Sequence, residues 1–396
     1  MRAETATPAA GRITLAQIRA RRAARRTGRG TGPQVLPGSY VVLLALVAVL
    51  NLIGLVMVLS ASSVDSLRTY GSPWYFFERQ LLWVVLGSVA LLISARIDYR
   101  RWRRWSLPAM IAVIGLLFAV LVPGVGISVA GSRRWLGLGS WRVQPSEIAK
   151  LALIIYLADL LARRAARMRD AAYSTLPVLL AMGLLGALVM KEPDMGTTMV
   201  LAVITFAILW VAGAPLGTIG ILVTGGAAFG VVLAKAAPYR WHRLVAFLHP
   251  FADASNTGYQ SAQALFALGG GRLSGVGLGA GRSSWGFLPN QHTDFIFAVI
   301  GEELGLVGTL VVVALFGVFT VLGVRAALRA PDRFGALLAA GVTAWIVGEA
   351  VINIGAVVGL LPVTGVPLPF ISFGGSSLVI AMFATGILLN VAKQGS

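Results

Sequence analysis

An all-α membrane protein with about ten transmembrane helices is predicted by three observations. Hydrophobic residues fill 57% of the 396 positions, while charged residues fill 12%. Mean hydropathy is +0.82, more apolar chain than a soluble core absorbs. Stretches close to the roughly 20 residues needed to span hydrocarbon recur along the chain, and basic residues divide unevenly among the segments joining them. The chain has no cysteine, which excludes disulfides, thiolate metal sites and a cysteine nucleophile. A net charge of +18 would suit nucleic acid, but its placement between apolar spans argues against that partner.

The first 36 residues hold Arg2, Arg12, Arg19, Arg21, Arg22, Arg25, Arg26 and Arg29 against one acid, Glu4. No apolar segment follows early enough for a cleaved signal peptide, so the first span is expected to be an uncleaved anchor. Residues 1–39 read as a basic cytoplasmic tail, either disordered against anionic membrane lipids or docking a cytoplasmic partner. Residues 40–396 read as one membrane domain. Its spans are expected near 40–60, 76–97, 107–124, 146–161, 176–190, 197–213, 218–236, 295–324, 335–358 and 376–391. With the N-terminus inside, cytoplasmic segments collect 21 of the 33 basic residues. The positive-inside rule then puts both termini in the cytoplasm and the large 237–294 loop, between the seventh and eighth spans, outside.

The outer segments carry the chemistry. Before the fourth span stands Trp141-Arg142-Val143-Gln144-Pro145-Ser146-Glu147-Ile148-Ala149-Lys150, where Pro145 after a polar residue is a helix start signal. Glu147 and Lys150, three apart, share one helix face. They are either an ion pair locking two helices or, with Arg142, the border of a cavity for an anionic head group. In Lys191-Glu192-Pro193-Asp194-Met195-Gly196-Thr197-Thr198, Asp194 can cap the next helix through Thr197 or Thr198. Asp194 could equally supply Lys150 with a second acid.

The polar island from 239 to 303 holds all three histidines, His242, His249 and His292, together with Arg240, Arg243, Arg272 and Arg282. The histidine spacing fits no short zinc motif. Gly275, Gly277 and Ala280 make a formal dinucleotide-binding match, but no strand precedes it and the compartment is wrong. The glycines of 269–281 let backbone approach closely and can form an anion-accepting nest beside Arg272 and Arg282. Asp294 stands where polar loop becomes membrane helix, and a charge at such a place usually marks a substrate path or a catalytic group. His292, two residues away, is a candidate for orienting substrate. Glu302 and Glu303 sit inside an otherwise apolar helix and need donors, for which Glu349 and Asn353 are candidate partners. The segment 359–377 is too rich in proline and glycine for a plain span. It is expected to be a re-entrant wall of the same cavity, since such backbone at membrane depth must be buried by protein or line a cavity.

Taken with Arg134-Trp135-Leu136, Gly258-Tyr259-Gln260-Ser261-Ala262-Gln263, the run from Leu288 to Gly305 and that from Leu361 to Ser377, these blocks resemble the shape, elongation, division and sporulation family of membrane glycosyltransferases, the FtsW and RodA proteins. The resemblance runs from about residue 40 to the end of the chain. Val56-Met57-Val58-Leu59-Ser60-Ala61-Ser62-Ser63 and Pro369-Phe370-Ile371-Ser372 resemble the division branch, FtsW, more than RodA. It implies a peptidoglycan glycosyltransferase that polymerises lipid II, probing the same outer face that charge bias already indicated, for septal wall synthesis in cell division. It implies Asp294 as the catalytic base, with Arg142, Glu147, Lys150, Asp194, His292, Thr293, Gln260, Gln263, Arg272, Arg282 and Ser376 binding substrate or shaping its cavity. The implied partners are a class B penicillin-binding transpeptidase and other division proteins. A general base suits the attacking sugar hydroxyl. Arginines, glycine-loop amides or a divalent cation, Mg2+ or Mn2+, suit the departing pyrophosphate; no ligand set for a metal is assigned. Spans with buried charge and broken helices also fit a lipid II flippase or other transporter, and a structural division scaffold is a third reading.

Overall fold

The computed structural model describes residues 38–129, 131–138, 141–235, 241, 247, 251 and 258–395. The basic tail, His242, His249, Arg240 and Arg243 lie outside the described residues. Each of the ten predicted stretches coincides with a helix. They are α1 (Gly38–Tyr70), α2 (Tyr75–Arg96), α3 (Ser106–Leu121), α4 (Pro145–Arg163), α5 (Thr175–Lys191), α6 (Met195–Ala212) and α7 (Leu216–Lys235), then α9 (Ile296–Arg329), α10 (Arg333–Val357) and α11 (Gly375–Gln394). A further short helix, α8 (Tyr259–Gly270), stands in the long loop ahead of α9. Among the described residues seven segments are long and apolar enough to cross a membrane: α1, α2, α3 with its 3-10 lead-in, α6, α9, α10 and α11.

α4 is central, with 14 of its 19 residues buried, so its charges must be satisfied by protein. At one end Asp159 accepts from Arg103 at 2.7 Å, from Arg163 and from Ser106 at 2.8 Å. That end is closed again by Asp332, which accepts from Tyr99 and Arg100 and caps α10 through Gly335. Burial works against the Asp332 carboxylate, yet the Gly335 amide, Tyr99 hydroxyl and Arg100 guanidinium hold it below its ordinary range. α2 and α11 approach closely because small residues meet there. A side chain at Gly87 would strike Met382, and one at Gly386 would strike Ser94 and the Leu91 carbonyl.

Residues 127–143, expected as loop, form a small antiparallel sheet: β1 (Ile127–Val129), β2 (Ser132–Leu138) and β3 (Trp141–Val143), in the order β1-β2-β3. Trp135 pairs with Ile127, and Leu136 pairs with Val143. The segment expected as a wall, 359–377, is irregular backbone as far as 374, where α11 begins, and Leu368, Phe370, Ile371 and Ser372 within it are buried. Gly54 of α1 admits it: a Cβ there would sit 2.7 Å from the Phe370 carbonyl.

The largest departures concern the glycine loop. α9 is broken at Gly305, whose φ of 68° and ψ of −164° are open to glycine alone. The break frees backbone groups that the loop then takes. Leu306 and Val307 amides donate to the Arg272 and Leu273 carbonyls at 2.9 and 3.2 Å. The Glu302 and Glu303 carbonyls accept from Val276 and Gly277 at 3.0 and 3.1 Å. The close approach anticipated from the glycines is therefore to α9 itself, since a Cβ at Gly275 would lie 2.0 Å from the Glu303 carbonyl. The nest likewise holds the protein's own anions. Glu302 accepts from the Arg282 and Ser283 amides at 2.8 and 3.1 Å and from the Ser283 hydroxyl. Glu303 accepts from Ser60 at 2.6 Å, and the Gly279 amide donates to that same hydroxyl at 3.0 Å. Glu349 and Asn353 are thus not the partners of these two glutamates. The Arg282 and Ser283 amides and the Ser60 hydroxyl reach them first.

Candidate functional site

Asp294 lies in the turn just before α9, half-buried. Asn290, left-handed at φ 57°, makes the turn, and its carbonyl accepts from Thr293 and Phe295 at 3.1 and 3.3 Å. Three successive carbonyls of the turn are then pinned from outside it. His292 O accepts from the Phe373 amide at 2.9 Å. Thr293 O accepts from the Ser372 hydroxyl at 2.6 Å, and Asp294 O accepts from Asn353 Nδ2 at 2.7 Å. Asn353 also donates to Val366 O at 2.8 Å, and the Leu368 amide donates to Ser372 at 2.8 Å. The irregular segment ahead of α11 and α10 thus hold the backbone under Asp294 in one place. A small cavity opens there, lined by Asp294, Asn353, Val357, Thr364, Gly365 and neighbouring apolar residues. Gly365 keeps it open, since a Cβ at that residue would stand 3.6 Å from Asp294 Oδ2.

His292 packs between Phe76 and Phe373, with ring centroids at 4.4 and 5.8 Å. Burial pushes its imidazole below the ordinary histidine range, and the Asp65 carboxylate opposes this. Its ring is seated in an aromatic cluster that begins with Tyr70 and Tyr75.

Glu147 and Lys150 form the predicted pair at 2.7 Å, both buried. The second acid of Lys150 is Glu349 of α10, not Asp194. The lysine also lies 5.0 Å from the Trp345 ring. Glu349 stands one helical turn from Asn353, so this ion cluster anchors the helix that pins Asp294. Asp194 is instead the α6 cap, accepting from the Thr197 amide at 3.0 Å and its hydroxyl at 2.9 Å. Gln144 donates to it at 3.1 Å, and the Gln144 amide donates to Ser376 at 3.3 Å. Arg134, not among the predicted site residues, is the guanidinium of this corner. It donates to the Glu192 and Pro193 carbonyls at 3.0 and 2.8 Å and lies 3.6 Å from Asp194. Burial, then the Asp194 charge, pushes the Glu192 carboxyl up to about 8, against the pull of Arg134.

Arg142 is exposed on β3 and does not join the Glu147–Lys150 pair. Gln263 of α8 and Arg282 line a second cavity of about 530 Å3 with Ser283, Glu302, Phe287 and Leu288. Arg272 is exposed, and Gln260 is half-buried on α8. Among the described residues no group of three or more His, Asp or Glu side chains is placed to hold a metal. The sequence reading named Arg134 and Ser372 only as parts of the resembling blocks, and Glu349 only as a candidate partner of Glu302 and Glu303, so the roles found here for all three are new.

A carboxylate held rigidly at the head of a membrane helix, over buried ion pairs and below an irregular wall, defines an integral membrane protein built around a polar site. The chain matches the cell cycle protein family FtsW/RodA/SpoVE over residues 40–396, and it belongs to that family. It is 42% identical to the "Probable peptidoglycan glycosyltransferase FtsW" of Trichlorobacter lovleyi, over 89% of this chain and 92% of the relative. It is 39% identical to the "Stage V sporulation protein E" of Bacillus subtilis, over 93% and 99%. Among solved structures it is similar to the chain of "Structural coordination of polymerization and crosslinking by a peptidoglycan synthase complex". That match has a TM-score of 0.75 and 28% identity, and covers 92% of this chain and 99% of that one. The crystal structure of Thermus thermophilus rod shape determining protein RodA matches with a TM-score of 0.64 and 26% identity, over 91% and 98%.

Proposed function

We infer that this chain is a peptidoglycan glycosyltransferase of the division branch, extending glycan strands from lipid II at the outer face of the cytoplasmic membrane. The pinned Asp294 carboxylate carries this reading. The carboxylate takes the proton of the attacking sugar 4-hydroxyl as its oxygen bonds to the anomeric carbon of a second lipid II. The bond from that carbon to the pyrophosphate oxygen breaks, and undecaprenyl pyrophosphate leaves with the electron pair. A general base of this kind contributes typically about 10²- to 10⁴-fold. The exposed guanidinium groups of Arg272 and Arg282 are available to the pyrophosphate; the Arg282 and Ser283 amides are not, because Glu302 occupies them. Among the described residues no cluster of carboxylates or histidines is placed to hold a Mg2+, which would rest on the substrate's own phosphates. A class B penicillin-binding transpeptidase is the partner that would cross-link the strands.

The test is polymerisation of labelled lipid II in detergent by the purified protein, with a catalytically dead transpeptidase partner, comparing wild type with Asp294→Asn. Polymer from wild type alone is expected; equal polymer from both overturns the assignment. Detergent removes any membrane to cross, so a flippase would give polymer from neither. The ten-span arrangement with both termini inside is tested by cysteine labelling in this cysteine-free chain. Ser274→Cys should react with an impermeant maleimide in intact cells, and Arg329→Cys only after lysis; the reverse pattern would sink an outward-facing site.

A further inference from the structure

The 3-10 segment Tyr99–Trp105, between α2 and α3, sorts its arginines by face. Residues three apart eclipse in such a helix, so its side chains fall into three rows. Tyr99, Trp102 and Trp105 make the first. Tyr99 is buried, Trp102 packs edge-on against Phe383 of α11 at 5.3 Å, and Trp105 stands 56% exposed. Arg100 and Arg103 make the second, and the Nε of each donates to an acid, Asp332 at 2.8 Å and Asp159 at 2.7 Å. Arg101 and Arg104 make the third. Both are exposed, and neither side chain has an ion pair or hydrogen bond among the described residues.

The acids around the segment are already engaged. Asp98 accepts from the Arg100 amide at 3.0 Å, Asp159 also holds Arg163 and Ser106, and Asp332 also holds Tyr99 and the Gly335 amide. Two guanidinium groups one 3-10 turn apart, about 6 Å along the axis, can close on a single phosphate. Guanidinium also matches phosphate oxygens in bidentate fashion. Position supplies the class of ligand. Phe76, at the head of α2, touches His292, whereas Arg96 ends that helix after a rise of about 30 Å, the thickness of a hydrocarbon core. The segment therefore borders the membrane face opposite Asp294. Trp105 and Leu107, each 56% exposed beside the arginines, suit the depth where headgroups meet acyl chains.

We propose that Arg101 and Arg104 hold the phosphate of an anionic phospholipid in the leaflet opposite Asp294, with Trp105 and Leu107 against the upper part of its acyl chains. The site is independent of what Asp294 does. To test it, the full chain is delipidated in an uncharged detergent and titrated with phosphatidylglycerol or phosphatidylcholine, and bound lipid is counted by native mass spectrometry. Arg101→Gln with Arg104→Gln should weaken phosphatidylglycerol binding about 30-fold, about fivefold from each arginine, and abolish its preference over phosphatidylcholine. Arg101→Lys with Arg104→Lys should keep part of the preference. Arg325→Gln with Arg329→Gln, an equal loss of charge at the end of α9, should leave it unchanged. Equal weakening by the two glutamine pairs would mean a diffuse surface potential and would overturn the site. Equal binding of both lipids by wild type would overturn it too, leaving these arginines to an acidic protein segment. Millimolar inorganic phosphate should not displace the lipid; displacement would make a free anion the ligand and overturn the lipid assignment. If the double glutamine variant does not fold, Arg101→Gln and Arg104→Gln decide singly, and undiminished binding in both overturns the proposal.

Discussion

Asp294 and the Glu302–Glu303 pair lie within ten residues on the same stretch of chain, yet their surroundings are opposite. Around Glu302 and Glu303 the loop and Ser60 of α1 supply amides and hydroxyls to the side chains, and both are buried. Around Asp294 the donors from Asn353, Ser372 and Phe373 go to the backbone carbonyls of the turn, and the half-buried carboxyl borders a cavity. A carboxylate surrounded by fixed donors is held as an acceptor and acts as a clamp. A carboxylate whose backbone is clamped while its side chain borders a cavity is arranged for exchange with something that comes and goes. The same residue chemistry is thus assigned to architecture in one case and to reaction in the other by where the hydrogen bonds fall.

The sharpest way to break this contrast is to remove each charge in turn. Asp294→Asn should lower polymerisation by about 10²-fold or more with an unchanged melting temperature. Glu303→Gln should do the reverse, lowering the melting temperature and slowing the reaction only modestly. An inactive but fully stable Glu303→Gln would move the chemistry to the clamp.

Lys150→Met probes the support beneath the site. It leaves Glu147 and Glu349 facing each other without their shared cation, and breaking a buried pair costs about 3–5 kcal/mol. The double variant Lys150→Met with Glu349→Gln should recover part of that loss. No recovery in thermal unfolding of the double variant would show that the two helices are held by other contacts.

For Glu303→Gln itself, an amide in place of the carboxylate turns one acceptor oxygen into a donor facing the Ser60 hydroxyl. The expected cost is about 1–3 kcal/mol, with faster proteolytic cleavage of the 271–286 loop. Unchanged cleavage would argue that the backbone pairing across Gly305 suffices to hold that loop.

The smallest effect is expected at Glu192, a buried carboxyl that serves neither role. Its native-state pKa, about 8, lies above the unfolded carboxyl value. Its proton therefore stabilises the fold fully below about pH 4, and that contribution is lost as pH rises through about 8. Glu192→Gln should flatten this decline and raise the melting temperature by a few degrees at pH 9. A parallel decline in both proteins would place the buried charge elsewhere.

Much of this protein was legible in residue order because the bilayer imposes strong rules. Long apolar runs and Pro145 at a helix start located the ten long helices and the turn that carries Asp294. The Asp194 cap was legible for the same reason, since a cap acts within three residues of its own position. The ion cluster was only half legible. Glu147 and Lys150 lie one turn apart, whereas Glu349 arrives from 199 residues away. The small sheet and α8 were missed because short polar segments carry little periodicity.

Residue order by itself determined the class of the molecule, the positions of its long helices and the identity of the carboxylate at the helix mouth, because hydrophobic length and charge cost act locally along the chain. Only the tertiary structure decided which acid completes the Lys150 pair, that the glycine nest is filled by Glu302 and Glu303, and that Asn353 stands against Asp294. Those outcomes depend on which buried donors and acceptors come within about 3 Å of one another. In a packed bundle that proximity is set by segments hundreds of residues apart, each satisfying the polar groups that the others leave over.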